Sequence, residues 1–512
     1  MLIFVMTEHK TIIGKDILKM LMFSMYPDAK TIYREYIQNA CDSINEAVNN
    51  GILTDREGHI SVKINNIGRT IKIYDNGCGI KSDEVAPRLK DIANSDKDGI
   101  TTIGVYGIGR LVGAGYCKKL IFRTSYPGEP IASEITFDVV RAYAIINDKD
   151  DKRSASEVID TIASIETTVE EADKHYFEVS LLDVKQEYPE LLNDNNIGEY
   201  LKQVAPIDYT MPFKSTLIKS SLKETYINLH ASIKHYRISI NNITDIRKPY
   251  DLIIDGTDDV IDSLEYFKIE DSEHGLLAWG WYGITAFTKA IPPSGKNRGI
   301  RLRKHNVLVG DADILNQYFS ESRGNNYFVG ELHAIHDNLH PEGSRSGLAP
   351  TIEAERLKIH LRNHFDYLKK LYHLANDAKK ATERLADATV AHEASVNPTE
   401  THLKVQEAQS NLDKIEKSRN AQDAVGKKII EIAKKKIVTS VSQNRQPAPT
   451  ANNKGLSAQQ NSLSLDNIES VSDDGKKLLK RVFAIMENNC PNPKDKKLLE
   501  ELKRLVIKEL AK

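Results

Sequence analysis

From Lys30 to Asn49 the chain runs without a Pro or Gly, and two helical periodicities are superimposed on that run. Tyr33, Ile37, Ala40, Ile44 and Ala47 recur at helical spacing and form one apolar stripe. Glu35, Asn39, Asp42 and Glu46 recur at the same spacing and form a second, polar stripe on another side. Such a helix must bury its first stripe against something. The second has two uses: a solvated face, the commoner fate of a polar stripe, or one wall of a ligand site. The rest of the chain has to decide between them.

At 512 residues the chain is too long for one ordinary domain. Its net charge of -2 provides no global basic field to recruit nucleic acid. Cys41, Cys78, Cys117 and Cys490 are widely spaced and form no C-x-x-C pair, which argues for a reducing compartment and against a zinc knuckle or a disulfide framework. The opening MLIFVM is too short for a signal segment or a membrane span, and no later stretch reaches spanning length. A cytoplasmic protein with no membrane partner is expected.

The first ~210 residues mix helices and strands. Helices are expected over Lys15–Met25 and Ala29–Asn49, a hairpin over HISVKINNIGRTIKIYDNG, and further strands in KKLIFRTSY, EITFDVVRAYAII and HYFEVSLLDV. This defines a first α+β domain over residues 1–212. A second α+β region, residues 213–352, carries strand-like LAWGWYGIT, RGIRLRKHNVLVGD and NNYFVGELHAI with Gly and Pro between them. At Ile352 the composition turns to Ala, Lys, Glu and Leu, broken once at Asn397-Pro398, and predicts two long helices folded into a hairpin over residues 353–440. Residues 441–465 are polar and read as a flexible linker, and residues 466–512 as a small helical module for dimerisation or docking.

Two further motifs join the polar stripe. IKIYDNGCGI is a strand running into a turn at Asp75, Gly77, Gly79 and Ile80. Asp75 is either an ordinary turn aspartate or a buried carboxylate that accepts from a ligand amino group, with the glycines admitting close approach. IGVYGIGRLVGAG places Gly104, Gly107 and Gly109 before a helix-like run, a pattern that offers backbone N–H groups to an anion. Neither a dinucleotide fingerprint nor a P-loop is present. His333, His336 and His340 have spacings that zinc sites use, but a strand followed by a loop would scatter them. The basic runs KKIIEIAKKKI and KKLLKR read first as solvated helix faces, with nucleic-acid contact as the alternative.

A helical E-x-x-x-N-x-x-D, a strand-end D-x-G-x-G-I and a later G-x-x-G-x-G, in that order, resemble the GHKL ATPases, and the conjunction is far more specific than any one box. LKMLMFSMYPDAKTIYREYIQNACDS, LKDIANSDK and IGVYGIG are most similar to the heat-shock protein 90 (HtpG-like) family over most of residues 10–125. YFVGELHAIHDNLHPEGSRSGL resembles that family's middle-domain segment ending in Ser-Arg. The resemblance implies a Bergerat-type α/β sandwich, a transducer-like middle domain, and ATP with Mg²⁺ as cofactors. It implies that Glu35 orients and deprotonates the attacking water, Asn39 holds Mg²⁺, Asp42 shapes the pocket and Asp75 reads the adenine amino group. Gly77, Gly79 and Ile80 would accommodate the base, and Gly104, Gly107 and Gly109 would wrap the phosphates. Arg345 would act as a cis arginine finger on the γ-phosphate; its bland alternative is a surface ion pair. Arg110 stands where the chaperones usually carry an aromatic residue and would add a phosphate contact or point to solvent. Two departures stand out: the lid span from Glu84 to Ile103 is short, and no Gly-Thr precedes the strand in KHYFEVSLL.

Function is therefore expected to be that of an ATP-driven clamp, homodimeric at least when ATP-bound, that remodels a protein client. The alternatives are a DNA-engaging clamp of the MORC or mismatch-repair type, or a specialised bacterial module, for instance in phage defence, that works with a partner protein.

Overall fold

A computed structural model describes residues 12–23, 28–92, 102–103, 109–241, 243, 245–257, 259–394, 398–418 and 421–444, together with 476, 479–480, 482–483, 499, 503 and 506. The chain divides into two compact units, Met1–Gln443 and Asn444–Lys512.

The first unit opens with α1 (Asp16–Phe23) and α2 (Thr31–Asn49). The apolar stripe of α2 is buried along its length. It packs on the hairpin of β1 (His59–Asn65) and β2 (Thr70–Asp75), whose register pairs Ile60 with Asp75 and Asn65 with Thr70. Ile60, Val62 and Ile64 of β1 are buried and the residues between them are not, so one face of the sheet is covered. Short α3 (Val85–Lys90) follows, then β3 (Lys119–Ser125) and β4 (Ile131–Asp138). After α4 (Val139–Asn147) and α5 (Ala155–Ile162) come β5 (Ala163–Val169), β6 (Tyr176–Leu182), α6 (Asp194–Val204), two brief helical turns, α7 (Lys219–Ser221) and α8 (Ile227–Ala231), and β7 (Arg237–Ile240). The seven strands form one sheet in the order β5-β4-β3-β6-β2-β1-β7, antiparallel except for the β1–β7 pair. Helices and sheet share a single core, as a two-layer α+β sandwich requires.

One expectation fails here. VVRAYAII does not continue β4 but forms α4. Its apolar residues Val139, Ala142, Ile145 and Ile146 are buried at helical spacing, and the Asp138 carboxylate caps it by accepting from the Arg141 N–H at 2.9 Å.

The second sheet contains β8 (Ser263–Asp271), β9 (Gly275–Ile284), β10 (Gly299–Lys304), β11 (Val307–Leu308) and β12 (Val329–Ala334), in the order β11-β10-β12-β9-β8. It is covered on both faces. Leu357, Leu361, Phe365 and Leu368 of α9 (Ile352–Glu393) pack into one core, and Tyr209, Phe213 and Tyr250 into another with Trp279 and Trp281. Val307 and Leu308 of the edge strand are buried in the core of the first sheet. The two sheets are thus interleaved: β7, from beyond residue 212, belongs to the first, and β11 of the second packs into the first one's core.

α9 starts on a Thr351 cap, whose hydroxyl accepts from the Ala354 N–H at 3.1 Å. α10 (Pro398–Glu416) packs back against it. The expected single return helix is two helices: α10 ends at Glu416 and α11 runs over Ala424–Asn444, where the Asp423 carboxylate accepts from the Gly426 N–H at 2.6 Å. In the second unit, Phe483 and Leu499 are buried and the Lys503 ammonium lies 5.8 Å from the Phe483 ring centroid.

Candidate functional site

Glu35, Asn39 and Asp42 of the polar stripe of α2 are partly buried, while Glu46 is exposed. The Glu35 side chain is only 13% exposed, and its Oε1 is buried without a hydrogen-bond donor. Two guanidinium groups flank it: Arg34 Nε at 3.5 Å and Arg345 Nε at 3.9 Å. These are charge contacts that lie beyond hydrogen-bond length. One turn on, Asn39 is half-buried on the same stripe. Asp42 accepts from the Ile103 N–H at 2.7 Å and so fastens the chain that enters the second glycine motif. Gly104 and Gly107 lie outside the described residues. Gly109 begins a tight helical turn over Gly109–Gly115, and a Cβ there would stand 2.9 Å from Glu35 Oε2. The Tyr36 hydroxyl ties this turn to α2, donating to the Arg110 carbonyl at 3.0 Å and accepting from the Gly113 N–H at 2.9 Å.

Asp75 ends β2 and is 2% exposed. It accepts from the Gly77 N–H at 2.9 Å, yet burial pushes its carboxyl up to about 7. The glycines around it have steric reasons. A Cβ on Gly77 would stand 2.1 Å from Ser43 Oγ and 2.7 Å from Asp75 Oδ1. Gly79 has φ +70°, and a Cβ there would stand 1.9 Å from the Ser125 carbonyl oxygen. Ile80, half-buried, donates its N–H to Thr124 Oγ1 at 2.8 Å, and that hydroxyl donates to the Tyr176 carbonyl at 2.9 Å. The His175 ring Nδ1 lies 2.8 Å from the Gly77 carbonyl. Thr124 and Ser43 place hydroxyls beside this motif, and His175-Tyr176 stand where a Gly-Thr is expected. Arg110 is half-buried; burial lowers its pKa, Asp91 favours its charged form and Arg88 opposes it, so its charge neighbours lie on α3 and just beyond.

Arg345 comes from the other domain. It lies on the loop after β12, closed by a Pro341–Leu348 bridge, and is 5% exposed. Its Nη2 donates to the Ile103 carbonyl at 2.6 Å, and its backbone is left-handed at φ +56°. Arg34 Nη2 approaches the Ser344 carbonyl at 3.4 Å, so α2 holds the loop as well as meeting its tip. Glu35, Asp42, Gly109 and Arg345 are thus brought together, with Asp75, Gly77, Gly79 and Ile80 at the end of the neighbouring strand. Arg34, Tyr36, Ser43 and Thr124 were not singled out from sequence. Arg34 is adjacent to Glu35 and its charge was a visible signal; the others act through contacts between distant segments.

The three histidines do not converge. His333 is buried on β12, stacked on Trp279 with ring centroids 5.0 Å apart, and burial pushes its pKa down to about 4. His336 accepts from the Asn338 N–H through its Nδ1 at 3.2 Å. No group of three or more His, Cys, Asp or Glu that could hold a metal occurs among the described residues. A cation at the Glu35 end would be held by one or two protein oxygens with phosphate and water completing its shell, the manner in which Mg²⁺ is usually bound. A donor-free carboxylate oxygen, a buried carboxylate and glycines whose Cβ positions are blocked fit a nucleotide and its cation. Among the described residues no helix is long and apolar enough to cross a membrane.

Residues 30–168 match the profile of the family described as histidine kinase-, DNA gyrase B-, and HSP90-like ATPase. Among curated proteins, the chain is similar to the chaperone protein HtpG of Clostridium perfringens, 26% identical over 239 residues, which covers 42% of this chain and 34% of that protein. It is also similar to HtpG of Hydrogenovibrio crunogenus, 32% identical over 86 residues, and of Dechloromonas aromatica, 37% identical over 87 residues; each match covers 16% of this chain and 14% of the relative. The chain thus spans about a third or less of the length of these relatives.

Proposed function

We propose that this chain, whose first domain is a GHKL-type ATP-binding domain, hydrolyses Mg-ATP and uses the cycle as an HSP90-like conformational clamp on a protein partner. The observation that carries the reading is the approach of Arg345, from the second domain, to within 3.9 Å of Glu35 in the first. A carboxylate and a guanidinium from two domains at one point are the parts needed for phosphoryl transfer to water with a cis arginine.

In this reading Glu35 accepts the proton of the water that attacks the γ-phosphorus, the bond to the β-phosphate oxygen breaks, and ADP and phosphate leave. Arg345 neutralises charge that develops on the transferring group. Arg34 steadies both the Glu35 carboxylate and the Ser344 carbonyl of the arginine loop. Mg²⁺, held through Asn39, would supply charge neutralisation of the phosphates. Asp75 accepts from the adenine amino group, while Gly77, Gly79 and Ile80 leave room for the base. Asp42 orders the chain at Ile103 that leads into Gly104, Gly107 and Gly109, the proposed phosphate wrap. Arg110 contributes at the rim beside α3. The working form is a homodimer at least when ATP is bound.

A DNA clamp gains less support. Lys428, Lys434 and Lys436 of the basic run on α11 pair with Asp262, Glu416 and Asp259, which satisfies charges that a phosphate backbone would need.

The test is ATP turnover beside Glu35→Ala, with Mg-ATP binding measured for both. Turnover is expected to fall by about 100-fold or more while binding stays within a few-fold. Unchanged turnover in the variant sinks the assignment of Glu35 as base.

A further inference from the structure

Beneath the arginine loop lies a fully buried charged cluster that the catalytic reading does not use. Arg303 on β10 meets Glu331 on β12 at 2.5 Å, and Lys248 donates to both Glu331 oxygens at 3.0 and 2.9 Å. All three side chains are 0% exposed. Burying two cations and a carboxylate is a poor way to gain stability, since desolvation offsets most of the attraction. Such a cluster does fix geometry, and here it fixes a junction. Arg303 Nη2 donates to the Gln203 carbonyl at the end of α6 at 3.0 Å, and its Nη1 donates to the Asn306 carbonyl at 2.9 Å. Lys248 reaches the Asn306 side-chain oxygen at 2.6 Å. Asn306, left-handed at φ +65°, forms the turn between β10 and β11. Four residues on, the Gly310 N–H donates to the carbonyl of Arg345 at 2.7 Å.

The geometry points to Arg303 as the positioning residue of Arg345. Its fork grips Gln203 at the end of α6 and the β10–β11 turn at Asn306, and Gly310, two residues past β11, carries the hydrogen bond to the arginine loop. The inference rests on the reading of Arg345 above. It adds that the second domain is mounted on the first through a buried lock, so that Arg345 is aimed by the scaffold and not by its own loop alone. Arg303 touches no reacting atom; it acts through Gly310 and Arg345.

Arg303→Met leaves Lys248 opposite Glu331, so the buried carboxylate keeps a partner. Burial first, and the neighbouring Arg303 charge second, push Lys248 down to about 7, so removing Arg303 takes away the second of these causes. Arg303→Lys keeps the charge but cannot grip two carbonyls at once. The experiment measures kcat and ATP affinity in full-length wild type, Arg303→Met, Arg303→Lys, Arg345→Ala and the Arg303→Met/Arg345→Ala double variant. Both Arg303 variants are expected to lose about 10-fold or more in kcat, with affinity within a few-fold, because a misplaced catalytic group costs rate more than binding. On the Arg345→Ala background, Arg303→Met is expected to cause no further loss. Unchanged kcat in the Arg303 variants, or the same loss repeated on the Arg345→Ala background, overturns the positioning role while leaving Arg345 intact. If Arg345→Ala alone leaves kcat unchanged, the reading of Arg345 fails first and the mount falls with it. Should Arg303→Met not fold, Arg303→Lys alone decides: wild-type kcat rejects the fork.

Discussion

Asp75 is a carboxylate placed where its charge is expensive, and that gives it a measurable signature. Burial raises it to about 7 against 3.8 for the ordinary group. Between those values the folded protein holds a proton that the unfolded chain has released, so this group makes folding stability fall as pH rises through that window. In the proposed contact an adenine amino group would donate to the ionised form, and nucleotide binding would therefore expel the proton. ATP affinity is expected to increase from about pH 6 to about pH 8, with proton release near pH 7 detectable by calorimetry in buffers of differing ionisation enthalpy. Asp75→Asn should remove both the proton release and most of the affinity. A flat affinity across that range would contradict the proposed contact. The residue itself was legible in the sequence, as a strand-end Asp before two glycines; its burial was not, because Ser43, Ser125 and Tyr176, which crowd those glycines, come from three other segments.

At the scale of elements, α2 was readable because its two stripes were each complete and nothing interrupted them. α4 was misread because EITFDVVRAYAII is rich in β-branched and aromatic residues, and a strand continuing into a helix shows no break in hydrophobicity. The decisive signal was a single cap, Asp138. Asp138→Ala is expected to cost about 1 kcal/mol of stability, the usual value of an N-cap, with no direct effect on ATP binding, and urea unfolding would measure it. A loss below a few tenths would mean that packing alone starts the helix. The broken return limb of the hairpin has the same origin, since Asp423 caps α11 in a stretch whose composition looked uniformly helical.

For the whole molecule, the α+β class and the GHKL-type ATPase region could be anticipated from the motifs, whereas the way the two sheets are joined could not. No local pattern links Gln203, Lys248, Arg303 and Glu331; only the folded topology gathers them. Interleaving through β11 also makes the two sheets poor candidates for a loose hinge, so the movement that the proposed clamp needs is expected elsewhere. Glu35→Ala with Mg-ATP is expected to accumulate a dimer with a smaller radius per protomer in X-ray scattering, while duplex DNA at low salt leaves wild-type turnover unchanged. A monomer of constant dimensions would contradict the clamp, and stimulation by DNA would favour the alternative.

The left-handed backbone of Arg345 carries a consequence for anyone who evolves or engineers this protein. At φ +56° a glycine rests more easily than any residue with a Cβ, by roughly 1 kcal/mol. Arg345→Gly and Arg345→Ala delete the same guanidinium, yet the glycine variant should melt at the higher temperature of the two. A library sorted for heat tolerance at this position would drift toward glycine, and one sorted for phosphate release would retain arginine. The disagreement between the two libraries would record how much durability the loop forgoes to keep its chemistry.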